Sequence, residues 1–169
     1  IMSKFASTSQ TIIPQAIDET STTQKLPLGT RVEAKDVAST AYGVGEFIYL
    51  KGVASTVVGS VALIDQDDFS TSLATANDVG YLAVAMSANV ASQYGWYQVK
   101  GKAVIKGLAS LADNASLYLT ATAGSLDDAV VAGDRVKGYA KTASALDTPS
   151  TGLAEADIVN PFVDNGEAA

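Results

Sequence analysis

The sequence predicts an all-β protein with a closed or sandwiched body and a leading segment of different character. Three observations predict it. Short runs rich in Val, Ile, Leu, Tyr and Phe recur from Thr30 to Val163, separated by Gly, Asn and Asp clusters, which is the spacing of strands and turns. No segment carries a 3.6-residue apolar period long enough to hold a helix without tertiary support. The leading segment has a different, polar composition and no regular period.

The elements follow in order. Residues 1–28 (SKFASTSQTIIPQAIDETSTTQKLPL after Ile1 and Met2) are rich in Ser, Thr and Gln and carry Pro14 and Pro27. They read either as a disordered terminus or as an arm that orders on a partner, with Ile12, Ile13 and Ile17 as its apolar anchors, ahead of a body over 29–169 that folds without it. Val32–Val37 reads as a short strand. Glu46–Val53 is apolar on both parities, as expected of a strand buried on two sides. Ser55–Asp65 follows, with Gly59 at a bulge or a close backbone approach. Val79–Met86, Tyr97–Lys106, Ser116–Thr122, Asp134–Thr142 and Ala156–Val163 complete the strands, with turns at Asn77-Asp78, Asp113-Asn114, Ala123-Gly124-Ser125 and Ala132-Gly133-Asp134. Short helical turns are expected at Thr71–Asp78, Ser87–Tyr94 and Ala109–Ala115.

Composition excludes several function classes. The 169 residues carry no Cys and no His, so thiolate nucleophiles, imidazole bases, disulfides and the common zinc ligand sets are ruled out. A formal net charge of −7 repels a polyanion, and only Arg31 and Arg135 can fork onto phosphates; nucleic acid is not the expected partner. No apolar run reaches the length of a membrane-spanning helix. Charged residues make up 17% and hydrophobic residues 47%, much of the latter alanine, so layers are thin and closely packed.

Candidate chemistry is thin. Asp65-Gln-Asp-Asp68 lacks the Gly and the distant Glu of a calcium loop and reads as a solvated turn. Asp127, Asp128 and Asp134 read as turn residues. No Ser-x-x-Lys pair is present, and Gly43–Gly45 lacks the lysine of a phosphate loop. No catalytic residue, cofactor or metal is therefore expected. The stretch YGWYQVKGKAVIKG (Tyr94–Gly107) holds the single tryptophan, Trp96, and a row of Lys100, Lys102 and Lys106 on one parity of a strand. The lysines are either a solvated face or a contact for an acidic protein surface. Trp96 reads as a core or interface anchor, or alternatively as a sugar-stacking platform with Tyr94 and Tyr97.

The succession VGYLAVAMSAN (Val79–Asn89), YGWYQVKGKAVIK (Tyr94–Lys106), SLYLTATAGSLDD (Ser116–Asp128), GDRVKGYAKTAS (Gly133–Ser144) and DIVNPFV (Asp157–Val163) resembles the small decoration, or capsid cement, proteins of tailed bacteriophages. The likeness spans about Gly43 to Val163; the arm does not share it. It implies a small β-barrel or β-tulip-like domain over 29–169 with residues 1–28 as an extended N-terminal arm, a homotrimer, no cofactor and no catalysis. It also implies a place on the outer surface of the virion capsid, reached from the host cytoplasm, where the protein binds the major capsid protein and stabilises contacts between its subunits. The competing reading is a carbohydrate-binding or adhesin-like β module on a virion or cell surface. An enzyme acting through Lys and Asp alone ranks behind both.

Overall fold

The computed structural model describes residues 5–7, 13–108, 110–142 and 152–166. They form twelve strands: β1 (Phe5–Ser7), β2 (Thr20–Ser21), β3 (Arg31–Asp36), β4 (Val44–Lys51), β5 (Val61–Ile64), β6 (Thr71–Leu73), β7 (Gly80–Ala85), β8 (Tyr94–Lys106), β9 (Tyr118–Leu119), β10 (Leu126–Asp127), β11 (Lys137–Thr142) and β12 (Leu153–Val163). Ten of them make one antiparallel sheet, and β9 pairs with β10 in a second. The all-β expectation holds.

No helix occurs among the described residues, so the helical turns expected at Thr71–Asp78, Ser87–Tyr94 and Ala109–Ala115 are corrected. Thr71–Leu73 pairs with β5, and the left-handed backbone of Asn77, Ser92, Ser110 and Asn114 breaks each segment before a second turn can form. Ala109 itself lies outside the described residues. The anticipated turns at Asn77, Asn114, Gly124 and Gly133 do carry positive φ.

The sheet is organised by two bent strands. The pairings β7–β8, β8–β12 and β12–β7 are all antiparallel. Three strands that are pairwise antiparallel cannot lie flat, because two neighbours of one strand must run parallel to each other. So β8 leaves the plane near its middle, and β12 leaves it near its end. Before the bend, β8 pairs with β4 on one edge and β7 on the other; after it, residues Lys100–Lys106 pair with Val159–Leu153 of β12.

The bend in β8 has local causes. Gln98 faces Phe47 and Lys100 faces Glu46, so Val99 is the extra residue of a bulge. Gly101 follows at φ 105, and a Cβ there would stand 2.7 Å from the Val44 carbonyl oxygen. The buried Gln98 amide donates to the carbonyls of both Lys100 and Lys102, at 3.1 Å each, which fixes the turned segment. In β12 the pairing with β8 ends at Val159 and that with β7 resumes at Phe162, across Asn160 in the left-handed region and Pro161.

Three buried clusters hold the layers together. One face of β4, β8, β7 and β5 gathers Ile48, Leu50, Tyr97, Val99, Ala83, Ala85, Ala62 and Ile64, with Phe69 against them. On the opposite face, Leu82, Val84 and Val61 meet Ala103, Ile105, Ala154, Ala156 and Ile158 of the β8–β12 ladder, capped by Leu117, Leu119, Leu126 and Val136. The remainder of that face, Phe47, Tyr49 and Trp96, is covered by the N-terminal segment. Curling brings the β5–β6 turn against the end of β4. The Lys51 N–H donates to the Phe69 carbonyl at 3.1 Å, and the Thr71 hydroxyl to the Lys51 carbonyl at 2.8 Å. The described ladders do not close into a barrel: β1 and β6 end the path without pairing with each other.

Candidate interaction surfaces

The N-terminal segment seats on its own body. Phe5 is buried, with its ring edge-on to Phe47 at 4.8 Å between centroids, and β1 pairs with β3. Ile17 is only 1% exposed and joins Phe47, Tyr49 and Trp96; Ile13 packs partly buried beside them. Gln15 is the polar centre of this seat. The Trp96 indole N–H donates to the Gln15 carbonyl at 3.0 Å, the Tyr49 hydroxyl donates to Gln15 Oε1 at 2.7 Å, and Gln15 Nε2 donates to the carbonyls of Tyr94 and Glu19, both at 2.8 Å. Each buried aromatic donor thus has its acceptor from the arm, as burial requires. β2 then pairs with β8 through Thr20–Gly95 and Ser21–Tyr94, extending the edge that β7 leaves.

Two of the residues singled out in the sequence lie within the core. Ile17 is core in its own chain, so it does not wait in the open for a partner. Trp96 is fully buried with its indole nitrogen bonded, so it offers no face for a sugar or a neighbouring protein. Burial also raises the hydroxyl pKa of Tyr49 and of Tyr97 above the ordinary tyrosine value. Ile12 lies outside the described residues. Residue Gln15, which organises the seat, went unnoticed because a lone Gln in a polar tract carries no pattern.

The lysine row lies on the outer side of the β8–β12 ladder. Directly opposed residues of an antiparallel pair share a face, so Asp157 joins Lys102 and Lys141, and Val159 joins Lys100. Lys100 is exposed and stands opposite Glu46 on β4, which is bound by Arg31 at 3.0 Å. Lys102 Nζ lies 2.7 Å from Glu155 Oε2 and 5.7 Å from the Tyr42 ring centroid. Lys106 is half-buried opposite Leu153, and its backbone N–H donates to the Gly59 carbonyl at 2.8 Å. The close approach expected at Gly59 is present: a Cβ there would meet the Lys106 nitrogen at 3.1 Å. The surface is therefore mixed in sign. Its carboxylates come from β12 and β4, strands far from β8 in sequence.

The other acidic groups serve turns. Asp65-Gln-Asp-Asp68 is exposed, and Asp65 and Asp68 accept the N–H groups of Asp67 and Ser70. Asp36 is buried at the end of β3. Burial pushes its pKa up, but the Ser39 hydroxyl and the N–H groups of Ala38 and Ser39 outweigh that and hold it below the ordinary value. Asp134 is buried and accepts the Asn77 N–H at 2.6 Å. Among the described residues no group of three or more His, Cys, Asp or Glu side chains could hold a metal ion, and no helix is long and apolar enough to cross a membrane. Exposed apolar side chains sit mostly at turns and strand ends: Val37 and Val44 around the β3–β4 turn, Val57 and Val58 before β5, and Val79 and Tyr81 at the start of β7. Comparison with protein-family models, curated proteins and solved structures found no match.

Proposed function

We propose that the chain is a structural decoration protein that binds the outer surface of a tailed-phage head and ties neighbouring major capsid subunits together, acting without catalysis or cofactor. The observation that carries the reading is where the resembling segments fall. Val79–Asn89, Tyr94–Lys106 and Asp157–Val163 contain or fall within β7, β8 and β12, the mutually paired strands at the bent junction of the sheet, and Gly133–Ser144 contains β11, which pairs with β12. Ser116–Asp128 supplies β9 and β10, whose Leu119 and Leu126 cap the same core. The likeness thus covers one contiguous structural unit. The curled sheet with open ends suits the tulip-like form of that group better than a closed barrel.

In this reading the mixed-sign face of the β8–β12 ladder meets the capsid. Exposed Lys100 and half-buried Lys106 supply contacts that are individually weak but multiplied by the many copies on a shell. Binding to the assembled head alone stabilises it by mass action. The homotrimer belongs to the same proposal. The test is co-sedimentation of the purified chain with expanded heads of the phage that carries its coding sequence. Saturable binding that raises the heat resistance of the heads, weakens with salt, and drops in Lys100→Glu/Lys106→Glu is expected. Heads that sediment free of the chain, or whose heat resistance it leaves unchanged, would sink the proposal. The carbohydrate reading loses its platform with Trp96 buried.

A further inference from the structure

We infer that the segment Ile13 to Ser21 is an exchangeable plug, able to seat in the same groove of a second copy of this chain. The groove is a built peptide seat. Its floor is Phe47, Tyr49 and Trp96, all fully buried under the plug, and it presents two buried donors, the Trp96 indole N–H and the Tyr49 hydroxyl, to a single residue, Gln15. The seat also offers a strand edge at Tyr94–Gly95, which β2 fills. This combination of an apolar anchor (Ile17), backbone pairing and side-chain capture is how extended peptides are recognised between chains.

The plug is joined to the body by a segment that contributes little to either. Thr22, Thr23, Gln24 and Lys25 are exposed. Their hydrogen bonds are local, from the Ser21 hydroxyl to the Thr23 carbonyl and from Gln24 Nε2 to the Leu26 carbonyl, apart from the Lys25 backbone N–H, which donates to the Tyr49 hydroxyl. Beyond it the chain is fixed again: Leu26 and Leu28 pack on the aromatic cluster, and the Gly29 N–H donates to the Tyr49 carbonyl. Four extended residues reach about 13 Å. An empty groove would leave aromatic surface and two buried donors without acceptors, so an occupant is strongly favoured. The same contacts form whether that occupant comes from its own chain or from a neighbour, which is the condition for strand exchange. Close packing of copies raises the local concentration of foreign plugs and shifts the balance to the neighbour.

The test shortens the link. Deleting the four exposed link residues, Thr22 to Lys25, joins Ser21 directly to Leu26 at the ~3.8 Å of consecutive Cα atoms and removes the slack that lets the plug return to its own groove. The expected result is an increase in oligomer size over the parent chain, with self-association at least tenfold tighter and Trp96 emission still that of a buried indole. Unchanged mass at matched concentration, with Trp96 emission either shifted to the red or unaltered, would overturn the inference. A second measurement uses the absence of native cysteine. Full-length Ser21→Cys and Tyr94→Cys variants, whose positions face each other across the β2–β8 pair, are mixed under oxidation. A Ser21→Cys/Tyr94→Cys disulfide between two different chains supports exchange. Its absence, when the double variant closes internally, overturns it. Neither experiment involves a capsid, so their outcome stands apart from head binding and bears only on the self-association proposed with it.

Discussion

Replacing Ile17 by Ala tests whether the leading segment is part of the core. Ile17 is 1% exposed against Phe47, Tyr49 and Trp96. The substitution deletes three carbon atoms, a transfer loss of about 2.4 kcal/mol at roughly 0.8 per methylene-sized group. The rigid aromatic floor cannot collapse into the gap, so a cavity term adds about 1 kcal/mol, for a total of ~3–4. Net stabilities of domains lie at about 5–15 kcal/mol, so this is a large fraction. Chemical denaturation followed by Trp96 fluorescence measures it where the change is made, and Thr22→Ala on the exposed link is the control, expected within ~0.5 kcal/mol. A loss below about 1 kcal/mol for Ile17→Ala would refute the reasoning, because a core position cannot be that cheap to truncate.

Other outcomes follow from single contacts. Gln98→Ala removes the amide that satisfies the Lys100 and Lys102 carbonyls at the bend; a loss of about 2–4 kcal/mol is expected by urea titration, and one under ~1 kcal/mol would mean the bend holds itself. Lys102→Met leaves Glu155, only 4% exposed, without its cation. The cost is about 1–3 kcal/mol at neutral pH, discounted because the Lys102 side chain is partly solvated, and urea titration of the variant against the parent measures it. For Asp36 the folded pKa is below the unfolded value near 3.8. Its contribution is therefore fully present above that value and is lost as pH falls through the depressed folded pKa. Urea midpoints of Asp36→Asn should fall less steeply than those of the parent below about pH 4, and equal acid slopes would contradict the assignment.

What the sequence made legible was local. The two-sided apolar run of β4 was readable because both parities are buried: Phe47 and Tyr49 enter one cluster, Ile48 and Leu50 another. Turns at Asn77 and Gly124 were readable because positive φ selects those residue types. What stayed hidden depended on partners distant in the chain. The lysine row looked purely cationic because Glu155 and Asp157 arrive from β12. Parity along β8 suggested one straight strand, yet the bulge at Val99 is defined only by its register against β4. The same odd-numbered row therefore serves two cores, with Tyr97 and Val99 in one, Ala103 and Ile105 in another. Helical turns were expected at three short segments; at Thr71–Leu73 pairing with β5 overrode that weak local preference, and in the other two left-handed residues broke it.

The covering role of the arm changes what a deletion can mean. A sheet buried on both faces needs a cover on each, and for Phe47, Tyr49 and Trp96 that cover is residues 13–28. Large aromatic side chains bury about 150–250 Å² each. Exposing even half of that area on three of them forfeits roughly 6–9 kcal/mol at about 25 cal/mol per Å², comparable with the whole stability of a domain. The body is thus not expected to stand unchanged without residues 1–28, contrary to the separable arm suggested by composition. Loss of head binding on removing them would report an uncovered sheet as readily as a lost contact. Changes at Lys100 and Lys106 leave the aromatic floor covered, and they are the substitutions that separate attachment from folding.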